Sequence, residues 1–347
     1  MPSGRRRVLL VRLDSMGDVL MAGPAVRAVA AAPDTDVWLL AGPRGRSAAR
    51  LLPGLDEIRV VGVPWITAVD RPVDAALVAE VDAVVEECRP DEAIVLTAFH
   101  QSPLPIALLL RLAGVPRVLG ASVESSAGIL DERWIPGEAF DEDIPEPERN
   151  LAIVGLAGHR LPEGDDGRLH VELPAARPAA LDVLPERYVI VHPGAQVPAR
   201  EYPADHHAEV VRLLTEAGHA VAVTGGNHER ELTARVAGAT GIDLGGALDL
   251  GGTAQAMAGA SVVIAGNTGP AHLAAAVGRP IVSLFSPVVK PERWAPYGVP
   301  VELLGDQTAA CRGTRAQLCP VPGHPCLTSV QPAAVVAATE RLLSLSR

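Results

Sequence analysis

The sequence predicts an α/β fold in which two doubly wound parallel sheets follow one another along the chain. Three observations predict it. At 347 residues the chain is about twice the usual length of a single domain. Short runs of Val, Ile and Leu alternate with helical stretches, as expected of strands buried on both faces of a parallel sheet. The alternation lapses near residue 136 and resumes at 188, so it comes in two blocks. Apolar residues make up 48% of the chain and aromatics only 3%, which leaves Ala, Val, Leu and Ile to build both cores.

In the first block the strand-like "RVLLVRL" is followed by a helical "DVLMAGPAVRAVAA". Then come "TDVWLLAG", "DEAIVLTAF", a helix over "LPIALLLRLAG" and "RVLGAS". Between about 136 and 185 proline and acidic residues crowd the chain, which marks irregular connection around one short helix. The second block runs "YVIVHPGAQ", helix "PADHHAEVVRLLTEAG", strand "AVAVTGG", helix "HERELTARVAG", "IDLGG", helix "TAQAMAGA", strand "SVVIAGN", helix "PAHLAAAVG" and strand "IVSLFSP". A final "PAAVVAATERLLSL" has apolar residues at helical spacing. The expected division is 1–175, 176–330 and a terminal amphipathic helix at 331–347. Two such sheets facing one another across a cleft bind ligands beyond the carboxyl ends of their strands.

A net charge of −11 argues against nucleic acid or an anionic membrane as a partner held by bulk electrostatics. Arg111 interrupts the most apolar stretch, no segment reads as a signal peptide or a membrane span, and four cysteines make no disulfide framework in a chain this long. A cytoplasmic protein is expected, with at most peripheral membrane contact.

The first loop, "RLDSMGDVL" at 12–20, has the strand, glycine turn and helix of a phosphate site, yet Asp14 and Asp18 would repel a phosphate. The second block offers a better anion site in "VVIAGNTGPAHLAAAVGRP". There Asn267 can cap the helix, Gly269 lets the backbone approach closely, Pro270 suits the first turn, and the helix dipole favours a negative ligand. Thr268 lies in the same turn, and His272 adds a donor. Two further turns converge on that edge. Gly194 and Ala195 leave one strand and Arg200 follows, suited to a diphosphate by its forked donors. Gly225 and Gly226 leave another, and Glu229 follows, suited to ribose hydroxyls. Taken singly, Arg200 reads as a surface charge and Glu229 as a helix-start acid. With the diphosphate in the second block, Asp18 becomes free to act as a general base on an acceptor hydroxyl; otherwise it is a first-turn helix acid. Asp14 is expected to face solvent or to bond within its own turn.

"VLLVRLDSMGDVLMAGPAVRAV", "NTGPAHLAAAVGRPIVSLFSP" and "PERWAPYG" resemble the motifs of glycosyltransferase family nine, the lipopolysaccharide heptosyltransferase-like proteins, and the likeness spans nearly the whole chain. The resemblance implies the GT-B architecture of two Rossmann-like domains, with an acceptor in the first and a nucleotide-sugar donor, such as ADP-heptose, in the second. It implies a metal-independent, inverting transfer to a glycan, lipid-linked or small-molecule hydroxyl, without a cofactor. Asp18 falls on the family's catalytic base, and Arg12, expected on the acceptor side, on a basic position of the same motif. Donor contacts fall on Gly194, Ala195, Arg200, Glu229, Asn267, Thr268, Gly269 and His272. The chain departs from the family pattern at Asn267, where Asp is usual, and in "REYP", where a basic-aromatic-proline run is usual.

Other residues have plainer readings. Cys311, Cys319, Cys326 and His324 cluster without a C-x-x-C pair, so a reduced, structured loop is expected rather than a metal site. His100 follows a strand and either lines the acceptor side or is structural, while His206 and His207 read as surface helix residues. Two other functions share the architecture: a nucleotide-sugar 2-epimerase, and a non-catalytic relative that only binds a nucleotide sugar. A dinucleotide-dependent dehydrogenase is disfavoured because no G-x-G-x-x-G follows the first strand.

Overall fold

A computed structural model describes residues 4–66 and 72–345 and divides the chain into two units, Met1–Glu172 and Leu173–Arg347. The break falls between 172 and 173, and the second unit includes the terminal helical stretch. Residues 346 and 347 lie outside the described residues.

The first unit holds a parallel sheet of six strands, β1 (Arg6–Arg12), β2 (Thr35–Ala41), β3 (Glu57–Val60), β4 (Glu92–Val95), β5 (Val118–Ala121) and β6 (Glu132–Trp134), in the order β3-β2-β1-β4-β5-β6. Its helices are α1 (Met16–Met21), α2 (Gly23–Ala30), α3 (Arg46–Ala49), α4 (Ala75–Cys88), α5 (Leu104–Leu112) and α6 (Glu146–Leu156). Leu9, Val11, Ala93 and Val95 of the two central strands lie in one core with Leu77, Val81 and Val85 of α4 and with Ile106 and Leu110 of α5. Those helical residues recur at four-residue spacing, so one stripe of each helix is spent on the sheet. The helical stretch after β1 is cut in two at Ala22 because Pro24 starts a new helix at its first turn and could not continue an old one.

The second unit repeats the plan. Its strands are β7 (Val189–His192), β8 (Val221–Val223), β9 (Ile242–Asp243), β10 (Val262–Gly266), β11 (Ile281–Leu284) and β12 (Val301–Leu304), in the order β12-β11-β10-β7-β8-β9. Counted within the unit this is the order of the first sheet, which is the doubly wound order with a switch point between the first and fourth strands. The helices are α7 (Ala204–Glu216), α8 (Arg230–Ala237), α9 (Leu250–Gly259), α10 (Gly269–Ala276), α11 (Pro291–Trp294), α12 (Pro325–Thr328) and α13 (Pro332–Ser344). Val335, Ala338, Leu342 and Leu343 of α13 enter the second core beside Val262, Ile264 and Val282. Among the described residues no helix is long and apolar enough to cross a membrane.

Candidate active site

The switch point of the first sheet lies between β1 and β4, and the loops leaving these strands carry a buried ionic cluster. Arg12 ends β1 with no exposed surface. Its Nε lies 2.9 Å from Oδ2 of Asp14, its Nη2 donates to Oδ1 of Asp18 at 3.1 Å, and its Nη1 donates to Oδ1 of Asn150 on α6 at 3.3 Å. Oε2 of Glu146, also on α6, is 3.6 Å from Nη2. Burial works against the Arg12 charge, but Asp14, Asp18 and Glu146 together raise its pKa above the ordinary arginine value. A guanidinium this enclosed organises the carboxylates around it and touches no solvent-borne molecule.

Asp18 is the third residue of α1, whose N-cap is Ser15. The Ser15 N–H and hydroxyl donate to Oδ2 of Asp18 at 3.2 and 2.6 Å, forming a reciprocal cap at the helix start. The carboxylate therefore does the plainer work foreseen for it and is held at both oxygens. Its side chain remains 14% exposed.

Asp14 does not face solvent or bond within its own turn. It is 6% exposed, pairs with Arg12, and accepts a hydrogen bond from Nε2 of Gln101 in the loop after β4. Gln101 is itself fixed, since its Oε1 accepts from the Ala98 N–H at 3.1 Å. The Asp14–Gln101 bond spans the switch point. Burial pushes the Asp14 carboxyl up to about 6; Arg12 opposes this, and Asp18 and Glu146 add to it. Burial likewise raises the Glu146 pKa against the pull of Arg12 and Arg149. His100 lies in the exposed turn beside this cluster.

In the second unit the switch point falls between β7 and β10, and Nη1 of Arg200 donates across it to the Asn267 carbonyl at 3.3 Å. Asn267 does not cap α10. The N-cap is Thr268 in extended conformation, and the Asn267 amide turns inward. Its Oδ1 accepts from the Ser286 N–H at 3.2 Å and its Nδ2 donates to the Ser286 carbonyl at 3.1 Å, clamping the end of β10 to the loop after β11. An Asp here would set an anion against that carbonyl and lose one bond. Asn267→Asp is therefore expected to cost about 1–3 kcal/mol and to lower the thermal midpoint by roughly 3–8 °C, read by thermal denaturation at neutral pH. Thr268 Oγ1 is buried without a hydrogen-bond partner in the described structure, at the N-terminus of α10 where Gly269 is the first helical residue. His272, on the next positions of α10, is buried.

Gly194, Ala195 and Glu229 share a cavity of about 430 Å³ with Pro198, Tyr202, His228 and His324, a size in the range of ligand sites. Glu229 closes a 3₁₀ turn (Asn227–Glu229), where its Oε2 accepts from the Gly226 N–H at 2.6 Å and lies 4.0 Å from Nε2 of His192. His192 is buried at the end of β7 with its Nδ1 3.1 Å from the Thr224 hydroxyl. Burial lowers its pKa, with Glu229 opposing and His228 adding.

His207 also departs from expectation. It is 1% exposed, lies edge-on to Tyr202 at 4.9 Å between ring centroids, and burial pushes its pKa down to about 3. With α7 beginning at Ala204, His207 shares its face with Val210, Val211 and Leu214, so helical spacing already placed it inward. Cys311 and Cys326 are buried and Cys319 partly so, and all are free thiols. His324 donates from Nε2 to the Ala199 carbonyl at 3.1 Å, bracing the turn that carries Arg200. Among the described residues no group of three His, Cys, Asp or Glu side chains is placed to hold a metal ion. His192, Gln101, Glu146 and Asn150 carried no signal in the sequence.

The model of glycosyltransferase family 9 (heptosyltransferase) matches residues 98–323. The chain is 29% identical over 307 residues to lipopolysaccharide heptosyltransferase 1 of Pseudomonas aeruginosa, covering 81% of this chain and 79% of that one. Its fold is similar to a family 9 glycosyltransferase from Veillonella parvula, with a TM-score of 0.80 at 19% identity over 99% of both chains. It is similar also to the E. coli ADP-heptose lipopolysaccharide heptosyltransferase II, with a TM-score of 0.71 at 20% identity over 98% of this chain and 99% of that one. The two six-stranded sheets are thus the two Rossmann-like units of a GT-B protein. With the family model covering well over half of its residues, the chain belongs to glycosyltransferase family 9, the heptosyltransferase family, and is a glycosyltransferase.

Proposed function

We propose that this protein transfers a heptose from ADP-heptose to a hydroxyl of a glycan acceptor, with inversion at the anomeric carbon and Asp18 as general base. The observation that carries this reading is the fixed carboxylate of Asp18, oriented by Arg12 and Ser15 beside the end of β1. A base must be aimed before its basicity matters. Asp18 takes the proton of the acceptor hydroxyl as that oxygen forms its bond to the anomeric carbon. The bond from that carbon to the diphosphate breaks, and ADP leaves with the electron pair.

The charge that grows on the diphosphate is met by the second unit. Arg200, held at the Asn267 carbonyl, supplies a full positive charge. Thr268 Oγ1, the Gly269 N–H and His272 supply donors at the start of α10, and the helix dipole adds to them. Glu229, with Gly194 and Ala195 beside it in one cavity, accepts from the ribose hydroxyls. Asn267 serves this site indirectly, by holding the turn before α10 in place. No cofactor and no metal take part in this scheme, and the acceptor hydroxyl belongs to a glycan, lipid-linked or small-molecule acceptor.

The test is product analysis of purified protein given ADP-heptose with and without candidate glycan acceptors. ADP release that depends on the acceptor, with an inverted anomeric linkage by NMR, is the expected result. An altered nucleotide sugar formed from donor alone would instead establish the epimerase reading, and donor binding without turnover on any acceptor would establish the non-catalytic one.

A further inference from the structure

We propose that Asp14 is a positioning residue for the transfer: it shares the Arg12 guanidinium with Asp18 and thereby sets how strong a base Asp18 is. This rests on the reading of Asp18 as the base. A carboxylate bonded to a guanidinium is stabilised as the anion and takes up a proton less readily. Each further carboxylate on the same guanidinium dilutes that effect. Arg12 donates from Nη1 to Asn150 and from Nη2 to Asp18, while its Nε lies 2.9 Å from Oδ2 of Asp14 as an ion pair outside hydrogen-bond geometry.

The arrangement holds Asp14 beside the guanidinium. Gln101 is oriented by the Ala98 N–H so that its amide group donates to Asp14, and Asn150 is oriented likewise by donating to the Met21 carbonyl at 3.2 Å. The charged groups facing Asp14 are Arg12 from β1, Asp18 from α1 and Glu146 from α6, with Arg149 behind Glu146. One buried cation thus meets three carboxylates. Burial raises both the Glu146 carboxyl and that of Asp14, the latter to about 6, so Asp14 is ionised at neutral pH and protonated in mild acid. On protonation it returns the undivided guanidinium to Asp18, and the base weakens.

The experiment measures turnover at saturating substrates between about pH 5 and 8, for the wild type and Asp14→Asn. The wild type is expected to lose turnover toward acid with a midpoint near pH 6, while ADP affinity by calorimetry stays level. Asp14→Asn is expected to behave at every pH as the wild type does in acid, roughly 10-fold slower at neutrality and with no midpoint near 6. A purely structural role predicts something else, and the pH profile separates the two: a variant that is slow only through damaged structure keeps the wild-type acid midpoint. The Asp14 pKa is raised on folding, so the unfolded chain ionises first as pH rises. The charged carboxylate therefore disfavours the folded state above about pH 6. Asp14→Asn removes that cost, but one end of its amide is a donor facing Nε2 of Gln101 or Nε of Arg12, so its thermal midpoint at pH 7 is expected to fall and does not bear on the role.

Wild-type turnover in Asp14→Asn overturns the proposal, whatever its stability. If the variant fails to fold, the wild-type profile decides, and turnover that stays flat from pH 5 to 7 overturns it. Asp18→Asn separates this failure from that of the underlying reading: full turnover in Asp18→Asn sinks the base assignment itself. Lost turnover there, with an unaffected Asp14→Asn, sinks only the role given to Asp14.

Discussion

Asp18→Asn is expected to lower turnover by ~10²–10⁴ while leaving the affinity for ADP within about 2-fold. The substitution is nearly isosteric. Its amide oxygen can still accept from Ser15, so the start of α1 keeps its cap. Arg12 retains Asp14 and Glu146 as partners, and no buried charge is left uncompensated. What disappears is the capacity to take a proton. The comparison is made by coupled ADP-release kinetics and calorimetry with ADP; turnover within a few-fold of wild type would remove Asp18 from the mechanism.

The second large effect is expected at Gly194. A Cβ there would overlap Oε1 of Glu229, which is the end of a mobile side chain and not part of the backbone, so the fold survives and the carboxylate moves. Gly194→Ala should therefore displace Glu229 from the Gly226 N–H and weaken ADP binding by about 10- to 100-fold, with turnover at saturating donor much less affected. A double-mutant cycle makes the cause visible. In a Glu229→Ala background the added methyl should cost nothing, and an undiminished cost there would show that Gly194 acts by direct approach to the ligand. Both measurements use the same calorimetric titration.

The fold was legible where local pattern decides structure. β1, β4, β7 and β10 each carry a run of buried Val, Ile, Leu or Ala because both faces of a central strand are covered. β3, β6 and β12 did not stand out, since Glu57–Val60 and Val301–Leu304 are only partly buried and Glu132–Trp134 is three residues long. Strands toward the edge of a sheet carry polar residues and lose the pattern. At the site, the turns bearing Asp18, Gly194, Glu229 and Thr268 could be picked out because glycine and capping residues mark them. Their partners could not. Asn150 and Glu146 come to Arg12 from more than a hundred residues away, and no local spacing announces that. The same holds for Asn267, whose helix-capping chemistry was plain in the sequence but which is engaged instead by Ser286 on a neighbouring loop.

The stretch between β12 and α13 contributes no reactive group to the proposed chemistry, yet it reaches the Arg200 turn twice. His324 bonds the Ala199 carbonyl, and the Ala199 N–H bonds the Gln317 carbonyl at 3.0 Å. It works as a splint for a neighbouring turn. Insertions or trimming in this segment can thus shift where the arginine fork sits, so that relatives with the same contacting residues can differ in how firmly they hold a departing anion.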